Sequence, residues 1–526
     1  MWARLALAAG IVLAGTCGPS QPGGWAHPAP SLDADITEKT LVQGFSALAD
    51  RPLEPIPVPA LAVEGLRGLG TIDPSLTLLS ADHSLQLIAD DRVVATYPAP
   101  DADDIRGWSR LAITMTLDAA RISPAIDAAD SEQILEAVFD SALSRLDMFS
   151  RYHGAREARR LRSERNGFGG IGITFDPDPK GIRIRTIIDY SPAADAGIKP
   201  GDLIVGIDGK PLAGVDRDAV SDMLRGSIAS DVVIEISTGN GVPVERKLQR
   251  ILIVPPTVTA RMHDSILELK VSTFNQRTAD SISAEVRSAH DKLGPLLKGV
   301  ILDLRGNPGG LLDQAVQAAD FFMPSDVIVQ TRGRHPLSNQ SYEASPGDTG
   351  ETLPLVVLVD GRSASAAEIL AGALEDSGQA VIIGTNTYGK GTVQTVVHMP
   401  NDGEITLTWS RFFTPSGYAL HHLGILPTLC TALLDSGMAI SPQEQVDHAA
   451  MVPHDLADWR KIRVDDGAQR EKMRDLCPAA NRSDAAQDVV LAEKLLSAPP
   501  LFQEALALST PPATSLADGR RDHAEN

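Results

Sequence analysis

Three short stretches of this 526-residue chain carry residue types whose spacing could do chemistry. The first is Gly361-Arg362-Ser363-Ala364-Ser365-Ala366-Ala367-Glu368, which follows the apolar run LPLVVLVD and leads into the helical pattern ILAGAL. A serine at a strand-to-helix turn stands at the carboxyl edge of a sheet, and the first N–H groups of the helix are unpaired and aimed outward, where they could hold an oxyanion. The same serines would also serve as ordinary helix caps. The second stretch is Asp303-Leu304-Arg305-Gly306-Asn307-Pro308-Gly309-Gly310 after the run GVIL. Paired glycines allow positive φ and close backbone approach, so Gly309 or Gly310 offers a second donor, or simply a tight turn. The third, Gly384 to Gly391, nearly spells a phosphate-binding loop. Gly391 stands where Ser or Thr would reach Mg²⁺, and the following GTVQTVVH is β-branched and strand-like rather than the start of a helix, so nucleotide binding is rejected.

A serine hydroxyl needs a base before it attacks. Of the 12 histidines, His398, His421 and His422 lie in the same half of the chain, which leaves a Ser-His arrangement open. Lys390 is the rival, in a Gly-Lys-Gly turn that a parallel sheet would bring to the edge where Ser365 stands. A lysine acts as a base only when neutral, and with an ordinary pKa of about 10.4 it must be lowered by burial by several units. Its sequence neighbours include no acid to oppose that.

The elements that must position these residues follow from periodicity. From Ser265 onward the strand patterns ILELKVSTF, GVILDLRG, LPLVVLVD and AVIIGTN alternate with helical patterns over Thr278 to Leu293, Leu311 to Phe322 and Ala364 to Leu374, the signature of βα units and a largely parallel sheet. Before them, residues 166–254 read as a compact β-rich module of short strands, GGIGITF, GIRIRTII, DLIVGIDG and DVVIEI. Residues 31–165 are mostly helical with short strands over Leu76 to Tyr97; the helices are Gly107 to Ala120 and Ser131 to Arg145, the second capped by Ser131. The prolines of RPLEPIPVPA mark a linker. Residues 255–430 form the core, 431–508 a polar helical region, and 509–526 a disordered tail.

Composition sets the class. With 68 acidic against 47 basic side chains, a formal charge of −21 and 43% hydrophobic residues, the chain is a soluble multidomain protein, and its pI near 5.0 argues against nucleic acid as a main partner. Arg4 and the apolar run from Leu5 to Gly15 read as a secretory signal, residues 1–26, too short to span a bilayer. Cys17 either leaves with that signal or is lipidated and holds the protein to a membrane. Cys430 and Cys477 then form an even pair, disulfide-bonded in an oxidising compartment or left as two buried thiols.

Taken together, these residues resemble the C-terminal processing (tail-specific) serine peptidases, a family with a PDZ module beside a Ser-Lys catalytic core. The resemblance runs over roughly 280 residues, through LDMFSRY, FGGIGI, SPAADAGIKPGDLIVGIDG, STFNQRTAD, VILDLRGNPGGLLDQAV, SASAAEILAGALED, TYGKGTVQ and FTPSGYALHHLGILP, in the family's order. It implies an α/β multidomain fold, a crotonase/ClpP-like βα core with an inserted PDZ domain and helical N- and C-terminal regions. It implies Ser365 as nucleophile, Lys390 as base, Gln394 orienting that lysine, and oxyanion donors at Ala366 and at Gly309 or Gly310. It also implies that Phe168, Gly169, Gly170, Ile171, Gly172 and Ile173 bind a substrate C-terminus, with Arg225 in a regulatory part. The expected activity is endopeptidase cleavage of exported proteins selected by apolar C-termini, in the bacterial periplasm or cell envelope. No metal or cofactor is expected; an adaptor or activator protein and a homo-oligomer are.

Three positions depart from the family pattern. Ala367 replaces a third serine that has no required chemistry. Ser227 to Ser230 replaces a Lys-Gly-Thr turn, which puts regulation through Arg225 in doubt, and Thr428 stands where the family has an acid. Two other functions compete: a catalytically silent PDZ adaptor, and a crotonase-like acyl-transfer enzyme, since glycine turns that hold oxyanions also suit thioesters.

Overall fold

The computed structural model describes residues 32–81, 83–237, 241–432, 434, 441–450 and 458–509. The expected signal peptide with Cys17, and residues 510–526 of the expected tail, lie outside them. Among the described residues no helix is long and apolar enough to cross a membrane.

The core is a six-stranded sheet in the order Val258–His263, Ile266–Val271, Gly299–Asp303, Leu355–Val359, Ala380–Gly384 and Leu429–Cys430. All neighbours are parallel except the first pair. Continuous apolar runs such as Leu355–Val359 require both faces to be covered, and alternate residues divide between them. Leu302, Val357, Val359 and Ile382 face the helices Thr278–Leu293, Leu312–Asp320 and Ala366–Asp376. Ile301, Val356, Leu358, Val381 and Ile383 face Val446, Leu491, Leu495 and Phe502 of the C-terminal helices. The helices Pro442–Ala450, Ala486–Leu496 and Pro499–Ser509 are therefore the second layer of the core.

A second, antiparallel sheet joins Gln340–Glu343, Val327–Gly333, Glu404–Phe413 and Thr392–His398, with Arg151–His153 added along Glu404–Phe413. The phosphate-loop lookalike thus runs into a strand. The N-terminal helices Ala34–Asp50, Val58–Arg67, Ile105–Ala120 and Ser131–Leu143 share one apolar core with Val397, Ile405 and Leu407 of that sheet and with Met399 just beyond it. Two local readings are corrected. The cap of the last of these helices is Asp130, whose carboxylate accepts from Gln133 N–H, while Ser131 Oγ accepts from Asp33 N–H. The proline-rich linker is shorter than expected, because Val58 and Pro59 open the second helix, where proline's fixed φ and missing N–H do no harm.

The β-rich module folds around its own core of Phe175, Ile182, Ile184, Ile204, Val232 and Ile234. Its sheet runs Val244–Gln249, Asp231–Ser237, Leu203–Ile207, Gly181–Ile187, Ile173–Asp178, which leaves Ile173–Asp178 as an edge strand beside the loop FGGIGI.

Candidate active site

Ser363 and Ser365 are separated by their partners. The Ser363 hydroxyl is consumed by the turn, donating to Leu304 O at 2.9 Å and accepting from Asp360 N–H at 2.9 Å. Ser365 has φ +55°, a left-handed conformation rare for a residue with a Cβ, and it heads the helix Ala366–Asp376. Ser365 and Glu368 together form a capping box. The turn is held by Ala364 N–H to Asn307 O at 2.9 Å and Ser365 N–H to Glu368 Oε2 at 2.8 Å.

Glu368 joins this turn to the lysine loop. Fully buried, it accepts from Ser365 N–H and Lys390 N–H on Oε2, and from Gly389 N–H and the Thr387 hydroxyl on Oε1. Thr387 Oγ1 itself accepts from Ile425 N–H, which leaves its proton for the carboxylate. Burial pushes the Glu368 carboxyl up, and the four donors oppose that. The Ser365 and Lys390 backbones therefore lie two hydrogen bonds apart through one carboxylate oxygen.

Burial lowers Lys390 from its ordinary value, with Glu368 and Asp147 pulling the other way. The absence of acids beside it in sequence is thus corrected in space. Its Nζ lies 4.8 Å from the centroid of the Phe149 ring. Gln394 does not reach it: Gln394 Nε2 donates to Thr392 Oγ1 at 3.0 Å and to Thr408 Oγ1 at 3.2 Å.

Ala366 N–H, at the first helical position, has no acceptor among the described residues, as a helix start requires. Gly309 lies against it: a Cβ there would stand 2.8 Å from Ser365 Cβ and 3.0 Å from Ala366 N, and its φ of +100° also excludes a side chain. The Gly309 N–H is engaged by Asn307 Oδ1 at 2.8 Å, whereas the Gly310 N–H has no acceptor among the described residues. The turn beneath them is pinned by Arg305, buried against Asp303 at 2.9 Å and Asp488 at 3.3 Å.

The histidines take other places. His398 ends its strand, 70% exposed and paired with Glu404 at 3.2 Å. The rings of His421 and His422 meet at a tilt, 3.9 Å between centroids, and line a cavity of about 580 Å³ with Phe149 and Arg411; burial lowers His421 to about 4, so it is uncharged at neutral pH. Neither histidine bonds to Ser365 among the described contacts.

Thr428 also finds its reason. Its hydroxyl donates to Glu375 Oε1 at 3.2 Å, at the end of the helix Ala366–Asp376, where Asp376 pairs with Arg460 at 2.9 Å. Glu375 is pushed up to about 8 by burial. An acid at 428 would add a third carboxylate to this pocket; threonine adds a donor instead.

The C-terminal region reaches the same edge. Cys430 and Cys477 are disulfide-bonded. Near Cys477, Arg474 donates to Leu423 O and Thr387 O, and Ala480 O accepts from Gly361 N–H.

In the β-rich module, Phe168–Gly170 pairs with Ile251–Ile253, and Gly226 N–H donates to Gly169 O at 3.0 Å. The N–H groups of Ile171 and Gly172 have no acceptor among the described residues and sit at the head of the edge strand. Arg225 lies over the Phe168 ring at 4.4 Å.

Sequence reasoning passed over Glu368 and Phe149. The first had a signal, since Ser365-Ala-Ala-Glu368 has capping-box spacing; the second had none, because Phe149 meets Lys390 from a distant segment.

Residues 265–430 match the profile of Peptidase family S41, and residues 183–237 that of the PDZ domain. The carboxy-terminal-processing protease of Bartonella bacilliformis is 37% identical over 303 residues, covering 57% of this chain and 70% of that protein. The carboxyl-terminal-processing protease of Synechocystis sp. is 35% identical over 261 residues, covering 49% and 61%. For the Bacillus subtilis carboxy-terminal processing protease CtpA the values are 31% over 310 residues, 58% and 66%. The solved structure of a photosystem II D1 C-terminal processing protease is 27% identical and covers 61% of this chain and 85% of its own, with a TM-score of 0.34. The three sequence relatives support the peptidase reading and neither the silent adaptor nor the acyl-transfer enzyme. The chain belongs to the carboxy-terminal processing proteases of peptidase family S41, serine peptidases that here carry a PDZ domain.

Proposed function

We propose that Ser365 and Lys390 form the catalytic dyad of this protease. The observation that carries the reading is Glu368, which gathers the backbones of both residues onto one buried carboxylate. Neutral Lys390 takes the Ser365 proton as Oγ attacks the scissile carbonyl. The N–H groups of Ala366 and Gly310 stabilise the resulting oxyanion, and Gly309 leaves the space for it. The C–N bond then breaks, the leaving amine takes the proton back from Lys390, and water hydrolyses the acyl ester with the lysine again as base. Gln394 acts on the lysine through Thr408 rather than by contact.

Substrates are proteins chosen by their C-termini. The strand of an apolar tail adds to the edge Ile173–Asp178, and its terminal carboxylate is held by the N–H groups of Ile171 and Gly172. Export to the cell envelope fits the leader-like first residues and a disulfide that persists in an oxidising compartment.

The test is cleavage of an unfolded protein bearing an apolar tail. Wild type should cleave it; Ser365→Ala and Lys390→Ala should each lose at least about 10⁴-fold in kcat/KM, and His421→Ala should keep most activity. Full activity in Lys390→Ala would sink the dyad and return histidine as the base.

A further inference from the structure

We propose that Phe149 positions Lys390 for proton transfer, carrying the amine on its ring face and shutting water away from it. The inference rests on the Ser365–Lys390 reading and adds to that dyad a positioning residue from outside the core sheet.

The Lys390 Nζ has no hydrogen-bond acceptor among the described residues, and it stands over the Phe149 ring, 4.8 Å from the centroid. That is within the range where a ring face attracts an ammonium. The ring itself is held with care. Asp147 Oδ1 accepts from Phe149 N–H at 2.7 Å, Ser150 N–H at 3.0 Å and the Thr408 hydroxyl at 3.1 Å, while Ser150 Oγ donates to Asp147 Oδ2 at 2.9 Å. Thr408 N–H returns a bond to Ser150 Oγ at 3.1 Å. Gln394 joins at Thr408. The residue that the family resemblance casts as orienting the lysine thus reaches the loop that carries the ring through Thr408. A chain runs Gln394, Thr408, Asp147, Phe149, Lys390, and it crosses from the antiparallel sheet to the segment that follows the N-terminal helices.

The ring is also a wall. Phe149 lines the 580 Å³ cavity that Arg411, His421 and His422 border, so truncating it would open the lysine to water. The charged groups around the amine are Glu368 on the nucleophile helix and Asp147 on the ring's own loop, both favouring the ammonium; Arg411 stands on the cavity side, and His421 and His422 there are both lowered by burial. Against that background the ring has two separable effects. Its face stabilises the ammonium; its bulk excludes water and favours the free amine.

Two substitutions split these effects with opposite signs. Phe149→Leu keeps apolar bulk and removes the ring face, so the acid limb of kcat/KM should move to lower pH by about half a unit. Phe149→Ala admits water, so the limb should move to higher pH, with kcat at pH 7 down by about tenfold. Phe149→Tyr should restore the wild-type profile. Folding is controlled by the affinity for an apolar-tailed peptide in the Ser365→Ala background, which should not change. Limbs that stay put, or that move the same way in the Leu and Ala variants, overturn the role of the ring. Neither result touches the dyad, which stands or falls with Lys390→Ala.

Discussion

The turn at Ser365 and the loop at residues 168–173 are both short, glycine-bearing bends at the end of a strand, and they are held in different ways. Around Ser365 the backbone is fixed from several separate segments, through Asn307, Asp360, Leu304 and the buried Glu368. Around Ile171 one neighbouring strand, Gly226 on Gly169 O, Ala193 on Ile171 O and Ile188 on Gly172 O fix the carbonyl side, and two successive N–H groups are left open. The difference follows from the work each does. A nucleophile must meet a carbonyl within a fraction of an ångström, so its surroundings are over-determined and a strained φ of +55° is tolerated there. A strand-adding groove needs an unpaired edge, and an edge cannot be satisfied in advance. Damage should therefore propagate widely from the first region and stay confined in the second.

The largest effect is expected at Glu368. Glu368→Gln keeps the size but replaces one acceptor oxygen by an amide that faces donors, so either the Ser365 and Lys390 N–H pair or the Gly389 and Thr387 pair loses its partner. A fall of about 10²-fold or more in kcat follows, for tailed and untailed substrates alike. Steady-state kinetics on both substrate types checks it; a fall confined to tailed substrates would mean that the turn is not held by this carboxylate.

The second effect is on stability. The Cys430–Cys477 bond closes a 47-residue separation between the last strand of the core sheet and the segment that binds Thr387 and Gly361. Replacing both cysteines by serine should lower unfolding free energy by about 4 kcal/mol on the chain-entropy account, and urea denaturation measures it. Activity at low urea should fall with it, since the tethered segment braces the lysine loop. Loss of stability with full activity would show that the C-terminal layer supports the sheet and not the site.

The two regions were also unequally legible. The parallel core announces itself in LPLVVLVD and AVIIGTN, because burial on both faces leaves no polar alternation, and the glycines at 309 and 310 mark the turn that their positive φ requires. The module's strands were readable from their turns. What stayed hidden is whatever depends on partners distant in sequence. Phe149 meets Lys390 across 241 positions, the second sheet draws Arg151–His153 to Glu404–Phe413, and the C-terminal helices, polar on their outer side, gave no sign that they complete the core. Ser131 was misread as a cap because Asp130, one position earlier, competes for the same role with a partner at Gln133.

The smallest expected effect is at Arg225, and it sharpens the comparison most. Its guanidinium covers the Phe168 ring at 4.4 Å, and the next residue, Gly226, donates to Gly169, so Arg225 braces the loop proposed to bind the tail from the end of the helix Arg217–Leu224. A half-exposed contact of this kind contributes about 0.5–1 kcal/mol. Arg225→Ala should therefore raise KM for an apolar-tailed substrate by about two- to fivefold and leave kcat unchanged. An untailed substrate should be cleaved as by wild type. A fall in kcat instead would mean that the loop is coupled to the nucleophile turn, and that the open edge of the PDZ domain reports on the over-determined centre rather than standing apart from it.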